Sequence, residues 1–192
     1  MEKRKILVST NNKNKIKEIK DILSELPVEV YSKKDVDLEE FDVIEDGKTL
    51  AENSMIKVKE LRKYKEFDDY IIIADDSGLF VDGLDGAPGI YSARYAGEDG
   101  NDKLNNEKLL REMKGIEDRS ASFKACIAAL DEDNNEYFAH GECKGYILRE
   151  EQGDNGFGYD PLFVPLGYNK SFAELDGVEK NKISHRRKAL EE

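Results

Sequence analysis

Two adjacent carboxylates, Asp75 and Asp76, are the residues whose type and position point most directly to chemistry. They follow the apolar run 70–74, which is typical of a buried strand, and open α/β sheets bind ligands at the carboxyl ends of such strands. A divalent cation relieves the repulsion between neighbouring carboxylates, and Mg²⁺ prefers hard oxygen ligands that substrate phosphates commonly complete. The pair therefore predicts a Mg²⁺ site, while Asp-Ser-Gly is equally compatible with an ordinary turn after a strand.

A second segment whose residue types could bind a ligand lies between a predicted strand at residues 5–8 and a helix predicted from about residue 13. Free backbone N–H groups, the positive end of the helix dipole, a hydroxyl and a lysine would meet there, which is a common way to hold a phosphate. The segment lacks the glycines of a Walker loop, so it is not an ATPase signature. The alternative is a Thr or Asn helix cap followed by solvated lysines. The candidate phosphate-binding residues are Thr10, Asn11, Asn12, Lys13, Asn14 and Lys15.

A third segment, at residues 156–161, could bind a planar ring. Its glycines flank Phe157, Tyr159 and Asp160. An aromatic side chain held against a cleft can stack on a base, and backbone groups exposed beside glycine can read the edge of that base. The alternative is a glycine-rich turn with Phe157 in the core.

The basic segment 180–188 near the carboxyl terminus is the fourth candidate. In a helical frame Lys180 and His185 lie on neighbouring faces, so cationic and hydrogen-bonding groups could converge on one ligand. The arginines beside His185 disfavour its charged form, which suits hydrogen bonding to a base better than proton transfer.

Composition limits the classes of partner. The 192 residues include 42 acidic and 30 basic side chains, and the resulting net charge of -12 opposes binding to a nucleic-acid polymer. No apolar run approaches the roughly 20 residues that span a bilayer, and the first residues lead into a strand-like run instead of a signal segment, so no membrane partner and a cytoplasmic location are expected. Cys126 and Cys143 lie in apolar or strand-like surroundings and are expected to be buried free thiols.

The pattern of strands and helices predicts an α/β fold with an elongated mixed β-sheet, flanking helices, and two lobes around a central cleft, all within one domain, 1–192. The capping sequence 49–52 begins one of the helices, and Leu104, Leu109, Leu110 and Met113 are expected to face inward from another. Strands are predicted at 5–8, 28–31, 70–74, 120–130, 136–148 and 162–164, and helices at about 13–26, 49–64, 101–114 and 177–192.

Six motifs occur in order over nearly the whole chain and together resemble the inosine triphosphate pyrophosphatase family, also described as non-standard purine nucleoside triphosphatases. Each motif is weak by itself, but the joint match is highly specific. The motifs are Thr10-x-Asn12-x-x-Lys15-x-x-Glu18, Glu45-Asp-Gly-x-Thr49-x-x-Glu52-Asn53, Ala74-Asp-Asp-Ser-Gly-Leu79, Gly86-Ala-Pro-Gly-Ile-Tyr-Ser-Ala-Arg94, Gly156-Phe-Gly-Tyr-Asp-Pro161 and Ser184-His-Arg186.

The resemblance implies Mg²⁺-dependent hydrolysis of ITP, dITP and XTP to the nucleoside monophosphate and pyrophosphate, usually by a homodimer whose lobes enclose the nucleotide. It implies that residues 10–15 bind the triphosphate, that Asp76 is the catalytic acidic residue, as base or as metal ligand, and that Glu45 binds the metal with Glu40 as a rival. The residues implied to contact the substrate elsewhere are Ser77, Phe157, Gly158, Tyr159, Asp160, Lys180, His185 and Arg186.

Selectivity would follow from the purine edge, since hypoxanthine and xanthine present a 6-oxo acceptor where adenine presents a 6-amino donor. Donors from His185, Arg186 or a backbone amide would favour the former, and the sequence does not show how guanine is excluded. Two alternatives remain open at this point. One is a pyrophosphatase for pyrimidine nucleotides, and the other is a nucleotide-binding regulator without turnover, against which the Asp75–Asp76 pair argues.

Overall fold

A six-stranded sheet organises the protein in a computed structural model that describes residues 3–97 and 100–192. The strands stand in the order β2-β1-β3-β4-β5-β6. Strand β1 is parallel to both β2 and β3, whereas β5 and β6 are antiparallel, so the predicted mixed α/β sheet is confirmed. The strands are β1 (Arg4–Val8), β2 (Val28–Ser32), β3 (Tyr70–Val81), β4 (Ser120–Leu130), β5 (Glu136–Ile147) and β6 (Phe163–Pro165).

The residues that the structure describes form five α-helices that flank the sheet, and the helix starts follow the capping rules. Asn12 caps α1, Asn101 caps α3, and the Thr49 hydroxyl accepts a hydrogen bond from Glu52 N–H at the start of α2. Leu104 is 39% exposed, so the expectation that it faces inward is wrong, because Asn105 and Asn106 occupy the buried positions of that turn of α3. Leu109 and the C-cap residue Met113 are fully buried, and Leu110 packs against the same core. The helices are α1 (Lys13–Leu23), α2 (Leu50–Arg62), α3 (Asp102–Glu112), α4 (Gly177–Ile183) and α5 (His185–Glu191).

The chain forms two compact units, each with its own apolar core. The first unit comprises residues 3–76, 125–140 and 189–192, and its core consists of two apolar clusters, one between α2 and the sheet and one between α1 and the sheet. The second unit comprises the described residues of 77–124 together with 141–188, and its core contains the rings of Phe123, Phe163 and Phe172. Both cysteines are buried free thiols, as predicted, and burial raises the pKa of the Cys143 thiol to about 11.

The segment 75–78 is the main difference between prediction and structure, because it lies inside strand β3 and forms neither a strand end nor a turn. Gly78 serves a close approach of two backbones, since a Cβ built there would lie 2.2 Å from the carbonyl oxygen of Gly89. The Ser92 hydroxyl accepts a hydrogen bond from Leu79 N–H at 2.9 Å and ties the strand to the following 3₁₀ helix, Gly89–Arg94.

The predicted single helix at the carboxyl terminus is in fact two, because Ser184 adopts an extended conformation between α4 and α5. Its hydroxyl accepts a hydrogen bond from Arg187 N–H, which begins the new helix. The break places His185 and Arg186 in the first turn of α5. Among the helices of residues 3–97 and 100–192, none is long and apolar enough to cross a membrane.

Candidate active site

Five charged side chains of the first unit form what we call the acid–lysine cluster: Lys15, Glu45, Lys57, Asp75 and Asp76. The two aspartates are neighbours on a strand, so their side chains point to opposite faces and find different partners. Asp75 pairs with Lys15 at 2.7 Å, while Asp76 Oδ1 lies 3.4 Å from the Lys57 ammonium. The structure thus separates the carboxylates that the sequence suggested would share one cation.

The Lys57 ammonium is the centre of the cluster. It lies 3.1 Å from Glu45 Oε2 and 3.4 Å from the Asp75 carbonyl oxygen, in addition to its contact with Asp76. Burial lowers the pKa of this amine, but the negative charges of Asp76 and Glu45 outweigh burial and raise the pKa above its ordinary value. Lys57 therefore holds a permanent positive charge between the two predicted metal ligands.

The fit of these residues to a divalent cation depends on their oxygen atoms. The residues that the structure describes include no group of three or more His, Cys, Asp or Glu side chains around one point. However, Asp76 Oδ2 is buried, and no described residue forms a hydrogen bond to it. A buried carboxylate oxygen without a donor is costly unless something positive binds it, so Asp76 and Glu45 suit a hard cation.

Glu45 and its rival Glu40 are placed differently. Glu45 contacts Lys57, whereas Glu40 is exposed. Gly47, which follows Glu45 by two residues, fits against the first turn of α2, where a Cβ would lie 2.5 Å from Asn53 Oδ1. The absence of a side chain at Gly47 therefore lets this loop lie directly on the first turn of α2.

The segment 10–15 combines the two alternatives considered for it. Asn12 Oδ1 accepts hydrogen bonds from the N–H groups of Asn14 and Lys15 at 3.0 and 3.1 Å, and Thr10 Oγ1 accepts one from Asn12 N–H. The helix start is thus capped by its own side chains. Lys13 is solvated, but Lys15 is not, because its ammonium reaches the Asp75 carboxylate.

The second unit gathers a different group, which we call the aromatic–cation cluster: Phe157, Asp160, Lys180, His185 and Arg186. Lys180 donates to Asp160 Oδ2 at 2.6 Å, and both side chains are about 5% exposed or less. The Lys180 ammonium also lies 4.7 Å from the ring centroid of Phe157, and the Arg186 guanidinium lies 6.0 Å from it. Arg186 additionally donates to the Ser77 hydroxyl at 3.2 Å, which brings two predicted substrate contacts together.

The glycine-rich turn of this cluster is held by hydrogen bonds from several sides. Asp160 Oδ2 accepts a bond from Phe157 N–H at 2.9 Å, which closes the turn. Gly158 donates its N–H to Asp102 and accepts from the Asn106 amide, both near the start of α3. The Tyr159 hydroxyl donates to the Ser92 carbonyl oxygen, and burial raises the pKa of Tyr159. The turn is therefore fixed by its surroundings before any ligand binds.

His185 lies against a ring that the sequence did not single out. Its imidazole stacks on Phe123 with a centroid distance of 4.9 Å and an interplanar angle of 13°. Phe123 in turn packs edge-on against Phe163 at 4.7 Å. This stack fixes the plane in which the imidazole can offer a hydrogen bond.

The sequence prediction missed two residues, Lys57 of the acid–lysine cluster and Phe123, whose ring lies against His185. Helical spacing could have revealed Lys57, because it shares one face of α2 with the buried residues Ser54, Val58 and Leu61. Nothing in its strand pattern distinguishes Phe123 from an ordinary core residue.

The mixed sheet and its flanking helices define an α/β protein. One of its units contains the acid–lysine cluster, and the other contains the aromatic–cation cluster. The chain belongs to the Ham1 family, whose model matches residues 6–192. This confirms the membership that the six motifs indicated.

Among its relatives, the dITP/XTP pyrophosphatase of Clostridium tetani is 52% identical over 187 residues, covering 96% of this chain and 92% of the relative. That of Clostridium perfringens is 50% identical over 193 residues, covering 98% and 94%. The solved Ham1 protein of Coxiella burnetii aligns with a TM-score of 0.85 at 37% identity, covering 98% of this chain and 95% of that one. The Ham1 protein of Staphylococcus aureus aligns with a TM-score of 0.83 at 39% identity and the same coverage.

Proposed function

We propose that this protein is a nucleoside triphosphate pyrophosphatase that hydrolyses dITP, ITP and XTP to the nucleoside monophosphate and pyrophosphate, and so removes deaminated purines from the nucleotide pool. The observation that carries this proposal is the Lys57 ammonium bound by both Glu45 and Asp76, the two residues expected to hold a metal. Relatives about half identical to this chain over nearly its full length bear the name dITP/XTP pyrophosphatase, which supports the same activity.

The acid–lysine cluster is suited to the phosphate end of such a substrate. Lys15 and Lys57 supply positive charge, and each is already oriented by a carboxylate, so little reorganisation is needed when a polyanion binds. Asp76 Oδ2, the oxygen that Lys57 does not contact, has two lone pairs, so it can accept a hydrogen bond from a water molecule as well as bind a cation. We assign Asp76 the role of orienting and deprotonating that water for attack at phosphorus.

A divalent cation, Mg²⁺ in our proposal, would be held by Glu45 and Asp76 and would neutralise charge on the phosphates. The carboxylate oxygens of these residues are the hard donors such an ion prefers. Residues 10–15 would contact the phosphates through the side chains of Thr10, Asn11, Lys13 and Lys15, because Asn12 already occupies the N–H groups of Asn14 and Lys15.

The aromatic–cation cluster is suited to the nucleoside end. Phe157 offers a ring face for stacking, while His185 and Arg186 carry donors that can pair with a 6-oxo group. A site built to donate to oxygen rejects the 6-amino group of adenine, because its donors would then be left unpaired. Ser77, hydrogen-bonded to Arg186, would be held next to the same ligand.

We further propose that the protein acts on free nucleotides in the cytoplasm as a homodimer. The net charge of -12 supports a small anionic substrate bound at local lysines over a nucleic-acid polymer. The homodimer rests on the family resemblance.

A substrate panel tests the proposal. The purified chain is incubated with Mg²⁺ and, separately, dITP, XTP, dGTP, dATP, dCTP or dUTP, and pyrophosphate and orthophosphate are measured independently. We expect pyrophosphate from dITP and XTP at rates at least about a hundredfold above those from dATP, as expected when a polar site leaves donors unpaired. Equal turnover of dITP and dATP would refute the base-edge account, a preference for pyrimidines would reassign the substrate, and tight binding without turnover would make the protein a regulator.

A further inference from the structure

Asn53 is a buried polar residue that belongs to neither the acid–lysine cluster nor the aromatic–cation cluster. It lies in the first turns of α2, is 1% exposed, and its side-chain oxygen Oδ1 has no hydrogen-bond donor among the described residues. A buried amide oxygen without a hydrogen-bond donor is costly, so this oxygen is suited to bind a ligand.

Asn53 lies one helical turn before Lys57, the central residue of the acid–lysine cluster, on α2. Residues 53 and 57 are four apart and therefore lie on one face of the helix. Helical side chains lean toward the amino terminus, so the ammonium of Lys57 reaches back over the turn that carries Asn53. That ammonium contacts both Glu45 and Asp76.

The loop that carries Glu45 gives a second, independent indication that Asn53 lies near the acid–lysine cluster. Asn53 Oδ1 lies close to the backbone of Gly47, where an added Cβ would be only 2.5 Å from it. Gly47 follows Glu45 by two residues. The amide oxygen therefore faces the loop that brings Glu45 to the cluster.

Two buried oxygens of the first unit thus lack hydrogen-bond donors among the described residues, Asp76 Oδ2 and Asn53 Oδ1. Asp76 contacts the Lys57 ammonium, and Asn53 lies one helical turn before Lys57 on α2. Carboxylate and amide carbonyl oxygens are both hard ligands, and Mg²⁺ or Mn²⁺ takes about six of them. We propose that Asn53 binds the divalent cation through its side-chain oxygen, as a third protein ligand beside Glu45 and Asp76. This inference rests on the metal requirement of the proposed function.

Binding of Mn²⁺ to the full chain, measured by electron paramagnetic resonance without any nucleotide, tests the proposal. Asn53→Leu should weaken Mn²⁺ binding about tenfold or more, the scale on which loss of one metal-site partner acts. Asn53→Asp retains an oxygen at the same place and should bind Mn²⁺ at least as tightly as the unchanged chain. Water-proton relaxation should show one more water on Mn²⁺ bound to Asn53→Leu than on Mn²⁺ bound to the unchanged chain.

Asn106→Leu is the matched control, because Asn106 is also buried with an Oδ1 that lacks a donor among the described residues, but it belongs to the second unit. Its affinity for Mn²⁺ should not change. Unchanged affinity in Asn53→Leu, weakened binding in Asn53→Asp, or no Mn²⁺ binding by the unchanged chain would each overturn the assignment. None of these results depends on release of pyrophosphate from dITP, so failure of the ligand assignment is distinguishable from failure of the proposed function.

Discussion

The acid–lysine cluster and the aromatic–cation cluster both contain ammonium–carboxylate pairs, but they differ in what surrounds those pairs. In the first, ammonium groups meet carboxylates, and Glu45 remains 30% exposed at its side chain. In the second, Lys180 and Asp160 are almost completely buried, and rings lie against the cations and the imidazole. Charge–charge contacts can be exchanged for contacts with a polyanion, whereas ring packing fixes a donor in one orientation before the ligand arrives.

Because of this difference, we expect mutations in the two clusters to affect catalysis and stability to different degrees. Changes in the acid–lysine cluster should affect the chemical step more than the fold, because its groups keep alternative partners. Changes in the aromatic–cation cluster should affect both stability and base selection, because His185 and Lys180 lie against Phe123 and Phe172, two rings of the packed core.

The largest expected effect is on turnover in the acid–lysine cluster. Asp76→Asn keeps the shape of the side chain but removes the base, so kcat for dITP should fall by roughly 10²–10⁴-fold, the usual contribution of a general base. Steady-state pyrophosphate release measures this, and thermal melting is the control for the fold. Turnover at the rate of the unchanged chain would remove Asp76 from the mechanism.

The next effect is on stability in the aromatic–cation cluster. Lys180→Met leaves the Asp160 carboxylate buried without its ammonium and should lower the free energy of unfolding by about 3–5 kcal/mol. The double variant Lys180→Met/Asp160→Asn should recover part of that loss. Lys15→Met should cost less, because Lys57 keeps positive charge beside Asp75. Urea unfolding of the three variants measures this, and equal losses for Lys180→Met and Lys15→Met would remove the contrast between the clusters.

The smallest effect concerns the ring behind the imidazole. Phe123→Leu removes the ring that stacks on His185. Because an aromatic pair contributes about 0.5–1.5 kcal/mol, KM for dITP should rise about two- to tenfold, and the preference for dITP over dATP should fall. Phe123→Tyr retains a ring and should retain the preference. If both variants melt earlier yet discriminate as the unchanged chain does, Phe123 serves packing alone.

Strand and helix periodicity predicted the fold closely, but the end of β3 was misplaced. The apolar run 70–74 marks a strand clearly, while Asp75, Ser77 and Gly78 are residue types that turns favour. The strand continues because Gly78 allows the Gly89 backbone to approach and Ser92 completes its hydrogen bonding. Such partners are distant in sequence, so local propensity cannot reveal them.

The candidate site shows the same division between local and distant information. The Asn12 cap follows from residue type and position alone. The ion-pair partners of Lys15 and Lys57 cannot be predicted in this way, because a lysine on a helix is ordinarily solvated. Only the tertiary structure brings Asp75, Asp76 and Glu45 to these two lysines. The stack of Phe123 on His185 likewise joins a strand to a helix 62 positions away.

Gly78 also constrains attempts to redesign the enzyme. It directly follows Ser77, and the smallest possible enlargement, a methyl group, would strike the Gly89 carbonyl oxygen at 2.2 Å. A combinatorial library aimed at new nucleotide preferences should therefore randomise the residues that surround Ser77 while leaving codon 78 untouched. Clones recovered from a library that does vary it should return glycine almost without exception.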